Sequence, residues 1–152
     1  MTTIFYMVEK LFYSWQEYDK DILLINSRIH MSSWYPEHIV GVKRGGLIPA
    51  VSLSHLFKIP LSIISYQSRD GEDRDLGGLL SLSKDSKILL IDDICDTGDT
   101  FEAIKKEIKQ NYLNIKFCSM FYNIRQNITV DYFARKIDRE KDASWIVFPW
   151  EF

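Results

Sequence analysis

The sequence predicts an α/β fold, a mainly parallel sheet flanked by helices, in one domain spanning residues 1–152. Three observations predict it. Four short apolar runs, at 39–42, 61–66, 88–91 and 116–122, are set apart by helical patterns or polar turns. The run ILLI at 88–91 has no alternating polar residue, as a strand covered on both faces requires. Two of the runs end abruptly in glycine-bearing turns, KRGG and DDICDTGDT, and each turn leads into a helical pattern.

The elements follow in order. Ser14 and Glu17 have the spacing of a capping box, which starts a first helix near Trp15. Leu23, Leu24 and Ile29 are its expected apolar stripe. Ile39–Val42 is a buried strand, followed by the KRGG turn and a helix over Leu47–Phe57. Pro49 fits that helix only in its first turn, where the missing N–H costs little. Leu61–Tyr66 is the next strand. The polar stretch from Tyr66 to Ser86 is long for a small domain and reads as a mobile functional loop or a disordered one. Ile88–Ile91 is a strand, and Thr100–Gln110 is a helix with Phe101, Ile104 and Ile108 inward. Lys105, Lys106 and Lys109 gather late in it, where the helix dipole favours positive charge. Lys116–Tyr122 is the fourth strand. The tail from Thr129 holds two tryptophans and Pro149, which argues against a central strand there. It reads as a small aromatic lobe beside the sheet.

With 46% hydrophobic and 14% aromatic residues, the chain can bury a core. A net charge of -2 and the lack of a basic arm argue against nucleic acid as a partner. Cys95 and Cys118 have neither metal-ligand nor disulfide-framework spacing and read as free thiols in a reducing compartment. No apolar run is long enough to span a bilayer and no signal-peptide pattern opens the chain, so the expected location is cytoplasmic.

In open parallel sheets ligands sit beyond the carboxyl ends of the strands, where KRGG and DDICDTGDT both fall. A turn through Gly98 into a helix start presents unpaired N–H groups. With the hydroxyls of Thr97 and Thr100 they suit a phosphate monoester. Asp92 and Asp93 at the strand end suit hydroxyls, or a magnesium ion held through water. Paired glycines in KRGG permit unusual backbone, and Lys43 with Arg44 supplies charge for a second anion. Together these features suggest a doubly phosphorylated sugar with its metal.

IDDICDTGDT resembles the 5-phosphoribosyl 1-diphosphate (PRPP) signature of type I phosphoribosyltransferases. VKRGGLIPA is similar to that family's pyrophosphate loop, and LSIISY with the polar stretch after it to its strand and catalytic lid. SWQEYDK and SWIVFPWEF are similar to the first helix and the carboxyl-terminal hood of small bacterial xanthine-guanine members. The resemblance covers nearly the whole chain. It implies the type I fold with a hood at about 123–152, transfer of 5-phosphoribosyl from Mg-PRPP to a purine base, and a homodimer or homotetramer. The expected base is a 6-oxo purine: guanine, xanthine or hypoxanthine.

The same resemblance implies residue roles. Asp92 and Asp93 engage the ribose hydroxyls, with Asp93 contributing to the Mg2+ site. Thr97, Gly98, Asp99 and Thr100 cradle the 5-phosphate, with the Asp99 side chain turned to solvent. Lys43, Arg44 and Gly45 form the pyrophosphate loop, with a cis peptide at Lys43–Arg44. Asp96 also belongs to the PRPP site and is the candidate catalytic base near N7 of the purine, or else a brace for the phosphate loop. Trp145 stacks on the base and Ile146 offers backbone groups to its edge, with Glu151 a weaker contributor. Phe148 and Trp150 pack the core. Arg69 and Arg74 lie in the lid, closing over the site or standing solvated.

One position departs from the family. The strand before the hood ends in Asn123 where those members carry a lysine that donates to the 6-oxo group. Asn can donate to a 6-oxo or accept from a 6-amino group. Arg125 could restore the positive charge. Two rival readings stay open: a PRPP- or nucleotide-binding regulator without turnover, and transfer to a non-purine acceptor.

Overall fold

The computed structural model describes residues 7–67, 73–108 and 110–151. Its elements are β1 (Lys10–Phe12), α1 (Trp15–Met31), β2 (His38–Lys43), α2 (Leu47–Phe57), β3 (Leu61–Tyr66), β4 (Arg74–Asp75), α3 (Gly77–Leu80), β5 (Ile88–Cys95), α4 (Asp99–Ile108), β6 (Ile115–Asn123), β7 (Tyr132–Ile137) and β8 (Trp145–Val147). A 3-10 turn at Pro149–Glu151 follows. The main sheet has the order β4-β3-β2-β5-β6-β7, antiparallel only at β4. This is the expected α/β architecture.

β5 lies at the centre, and its apolar run divides between two cores. Leu89 and Ile91 face α1 and α2, with Ile25, Ile29, Leu53 and Phe121. Ile88 and Leu90 face α3 and α4, with Leu79, Phe101, Ile104 and Phe117. All four β5 residues are fully buried, as a strand with both faces covered requires.

α1 begins with the expected capping box. Glu17 N–H donates to the Ser14 hydroxyl at 3.1 Å, and Ser14 N–H donates to the Glu17 carboxylate at 2.8 Å. Its buried stripe is not the expected one. Tyr18, Ile22, Ile25 and Ile29 face the core at helical spacing, whereas Leu23 and Leu24 are 53% and 39% exposed. Only Ile29 of the three expected residues belongs to the stripe. A helix offers one face to the sheet, and the isoleucines with Tyr18 occupy it.

The tail differs from the sequence reading, and of the polar stretch after β3 residues 68–72 lie outside the described residues. The polar stretch after β3 is anchored at its far end: Leu76 and Leu79 are buried, and the Tyr112 hydroxyl contacts the Leu79 and Leu82 carbonyls at 2.9 and 3.0 Å. The tail is not one lobe. Residues 132–137 join the main sheet as β7, parallel to β6. The hood is instead a two-stranded parallel sheet that pairs β8 with β1 from the other end of the chain, in the register Leu11↔Ile146. Pro149 lies outside both sheets.

Candidate active site

The carboxyl ends of β2 and β5 lie side by side and carry the two special turns. β5 continues past Ile91 through Asp92 and Asp93 to Cys95. After β2 the Lys43–Arg44 peptide is cis, and both side chains are exposed. The glycines that follow serve close approach rather than unusual dihedrals. Gly46 has φ −75°, an ordinary helical value. A Cβ on Gly45 would lie 1.9 Å from Oδ2 of Asp93, and one on Gly46 would lie 2.4 Å from the Ile91 carbonyl oxygen. The KRGG turn is thereby pressed against the Asp92–Asp93 segment.

The two carboxylates are partly withdrawn from water. Oδ1 of Asp92 accepts from the Asp93 N–H at 2.8 Å, and Oδ1 of Asp93 from the Ile94 N–H at 2.7 Å. Burial, with the negative Asp93 beside it, holds the Asp92 carboxyl well above the usual carboxylate range. Burial also raises Asp93, and Glu151 across the cleft adds to the effect. Cys95, at the strand end, is a buried thiol pushed up to about 12 by burial. It is no nucleophile at neutral pH.

At the turn, Gly98 has φ +82° and is the one glycine in the left-handed region among the described residues. A Cβ there would also lie 2.6 Å from the Ile128 side chain and 2.8 Å from Oε1 of Gln126. α4 then starts at Asp99, whose N–H donates to the Thr97 hydroxyl at 3.3 Å. The Asp99 side chain is exposed. Residues 92–101, with Trp145 opposite, line a cavity of about 280 Å³.

Asp96 has a partner that the sequence reading missed. Arg139 donates through Nε to one Asp96 oxygen at 3.0 Å and through Nη2 to the other at 3.1 Å. Its Nη1 donates to the Ser144 carbonyl at 2.6 Å. Arg139 sits in the charged run DREKD, which has no periodic pattern, and nothing in that run distinguishes it from a solvated turn. Asn123, expected at the base, is buried, and its amide is engaged within the protein. Its Nδ2 donates to the Asp96 carbonyl at 2.9 Å, and its Oδ1 accepts from the Arg125 and Arg139 backbone N–H groups at 3.1 and 3.4 Å. Arg125 turns away from the cleft to Asp138, with both contacts at 2.7 Å.

The hood closes the other side. Trp145 is 60% exposed, a large apolar surface left open on an otherwise packed element. Trp145 N–H donates to the Glu9 carbonyl and Tyr13 N–H to the Val147 carbonyl. Successive strand residues send backbone groups to opposite edges, so the N–H and C=O of Ile146 point away from β1. Ile146 and Trp145 line a cavity of about 210 Å³ with Asp93, Asp96, Arg139 and Glu151. Phe148 is buried and stacks on Trp150 at 4.9 Å, so both pack as expected. A third cavity, of about 510 Å³, lies between Arg44, Gly45, Asp93, Trp150 and Glu151. Asp93 borders all three cavities.

The lid residues are less well gathered. Arg74 pairs with Glu107 of α4, away from the cleft, and Arg69 lies outside the described residues.

Among the described residues no three His, Cys, Asp or Glu side chains converge as a metal cage. Magnesium needs none: it binds through one or two carboxylates and completes its shell with water and substrate phosphate. Two hard-oxygen carboxylates, adjacent and partly withdrawn from water at the strand end, fit that chemistry.

Residues 12–152 match the family model described as phosphoribosyl transferase domain. The chain is 27% identical over 144 residues to a xanthine-guanine phosphoribosyltransferase of Desulfotalea psychrophila, covering 91% of this chain and 84% of that one. A purine phosphoribosyltransferase from Pyrococcus horikoshii superposes with a TM-score of 0.77 at 30% identity over 95% of each chain. A xanthine-guanine-hypoxanthine phosphoribosyltransferase of Helicobacter pylori shares the fold, with a TM-score of 0.73 at 23% identity over 94% of each chain.

Proposed function

The chain belongs to the phosphoribosyl transferase domain family, and on that premise we propose that it transfers the 5-phosphoribosyl group of Mg-PRPP to a purine base, releasing pyrophosphate. The observation that carries this reading is the meeting of three cavities at Asp93. A sugar at the meeting point reaches an anion pocket, a second cationic anion site and an aromatic shelf at once.

The backbone N–H groups of Thr97–Thr100 and the start of α4 take the 5-phosphate, aided by the helix dipole. Asp92 and Asp93 accept from the ribose hydroxyls. Asp93 is the residue that would hold Mg2+, which when bound neutralises charge on the diphosphate. Arg44 and the Gly45 N–H receive the diphosphate in the cavity beside Trp150, with the Lys43 charge next to them in the chain. Trp145 stacks on the purine, and the outward backbone groups of Ile146 meet its edge.

Chemistry at the anomeric carbon breaks its bond to diphosphate and forms one to a ring nitrogen, whose proton must leave. Asp96 shares a cavity with Trp145, and among the carboxylates there it is the one that the family resemblance makes the base. Both its oxygens accept from Arg139, which ties the segment after β7 to the end of β5. The protein's main contribution is geometric and electrostatic: it aligns two substrates and excludes water.

The test is pyrophosphate release from PRPP with magnesium against guanine, hypoxanthine, xanthine and adenine. Release with a purine and none without base supports the reading. PRPP binding with no release for any purine overturns it, and release with only a smaller acceptor moves it to a non-purine substrate.

A second copy of the chain is the expected partner. Leu23 and Leu24 of α1, Val51 and Leu56 of α2 and Ile63 of β3 are exposed apolar side chains suited to a homodimer or homotetramer. Among the described residues no helix is long and apolar enough to cross a membrane. Free, buried Cys95 and Cys118 suit a cytoplasmic location.

A further inference from the structure

We propose that Arg139 reads the 6-position of the base and makes the site selective for 6-oxo over 6-amino purines. This rests on the transferase reading above.

The cavity under Trp145 is lined by three carboxylates, Asp93, Asp96 and Glu151, and by one cation, Arg139. A guanidinium has five N–H donors in a fixed plane. Nε and one Nη2 hydrogen engage Asp96, and one Nη1 hydrogen engages the Ser144 carbonyl. The second Nη1 hydrogen has only the Asp142 carbonyl, at 3.5 Å. The second Nη2 hydrogen has no partner among the described residues. One Nη2 hydrogen is therefore the donor the guanidinium has left, while Nε and the other Nη2 hydrogen stay on Asp96.

Its orientation is fixed at both ends. Asn123 accepts from the Arg139 backbone N–H and donates to the Asp96 carbonyl. The arginine side chain is 22% exposed and that of Asp96 41%, so the hydrogen bonds to Asp96 and the Ser144 carbonyl are what hold the guanidinium plane. Trp145 fixes the plane of a stacked base next to it.

The 6-oxo group on the edge of a purine is an acceptor, and the remaining Nη2 donor matches it. A 6-amino group on that edge would place a donor against a donor. Asn123 does not perform this reading, because its amide groups are already engaged. The same guanidinium thus positions Asp96 and selects the base.

The experiment compares full-length wild type, Arg139→Gln and Arg139→Lys, with melting curves to verify folding. Two readouts are taken: kcat/KM for hypoxanthine and adenine with Mg-PRPP, and calorimetric binding of IMP and AMP. Wild type should favour the 6-oxo partner in both. Arg139→Gln should lose about 10-fold or more of that preference, beyond any loss common to both bases that follows from releasing Asp96. Arg139→Lys, which keeps the charge, should retain part of it. Equal losses for both bases, or the same IMP-to-AMP ratio in wild type and variants, overturn the proposal. Nucleotide binding needs no turnover. A wild type that prefers IMP yet releases no pyrophosphate therefore sinks the transferase reading while supporting the role of Arg139. Failure to bind either nucleotide overturns both.

Discussion

The two ends of the cleft are assembled in opposite ways. The proposed phosphate end comes from consecutive residues, 92–100, on one strand, one turn and one helix start. The proposed base end is gathered from across the chain: Asp96 after β5, Asn123 at the end of β6, Arg139 after β7, and Trp145 and Ile146 in a strand paired with Lys10–Phe12. A local motif carries its own geometry, so its residues fall into place with the backbone. A site assembled from distant segments depends on which loops meet, and an ion pair between two of them can set its chemistry.

If this contrast is right, damage at the first end should hit catalysis through backbone crowding. Gly45→Ala places a Cβ against the Asp93 carboxylate and should displace it. Misplacement on the order of 1 Å costs about 100-fold in rate, so kcat/KM should fall by about that factor while the melting temperature changes little. Gly46→Ala should do the reverse first. Its Cβ meets the Ile91 and Val42 carbonyl oxygens at 2.4 and 2.7 Å, so it should lower the melting temperature by several degrees. Equal behaviour of the two variants would break the distinction.

Damage at the second end should sort by substrate. Trp145→Ala removes an exposed shelf, so stability should hold. Stacking of a base on an aromatic is worth about 1–3 kcal/mol, and KM for the base should rise by about 10- to 100-fold. KM for PRPP should stay within about twofold. A rise in both constants would mean that Trp145 supports the fold of the cleft rather than the base.

A smaller effect separates stability from function at the strand end. The Asp92 carboxyl is held above its ordinary range by burial and by Asp93, so the folded chain binds protons more tightly than the unfolded one. That stabilisation is complete in acid, below the ordinary aspartate value, and is lost as pH rises through the raised values. Asp92→Asn keeps a neutral side chain throughout. It should melt like wild type near pH 4 and a few degrees higher at pH 8, while losing activity. A variant less stable at pH 8 would contradict the attribution of this shift to burial and the Asp93 charge.

The smallest effect should come from Arg125→Ala. Its ion pair with Asp138 faces solvent at the rim, and its guanidinium points away from the cleft. Kinetics and melting should both be indistinguishable from wild type.

Much of this was legible in the sequence for stated reasons. The boundaries of α2 and β3 were readable because apolar runs there are bounded by glycine and proline. The DDICDTGDT turn was readable because its chemistry is contiguous. The α1 stripe was misread because leucines and isoleucines crowd 22–25, and only the sheet decides which face turns inward. The role of KRGG was half readable. The glycines were visible, but their use, contact with Asp93 and the Ile91 carbonyl, exists only once β2 and β5 are neighbours. β1 pairs with a strand more than 130 residues away, and Arg139 reaches Asp96 across 43 residues. Neither partnership leaves a periodic trace.

The most direct test of the account is a crystal structure with Mg2+ and a purine nucleoside monophosphate. The phosphate should sit on the N–H groups of Thr97–Thr100, the ribose diol on Asp92 and Asp93, and the purine against Trp145 with its 6-position at Arg139. A phosphate lodged elsewhere, or a base that leaves Trp145 and Arg139 untouched, would contradict it.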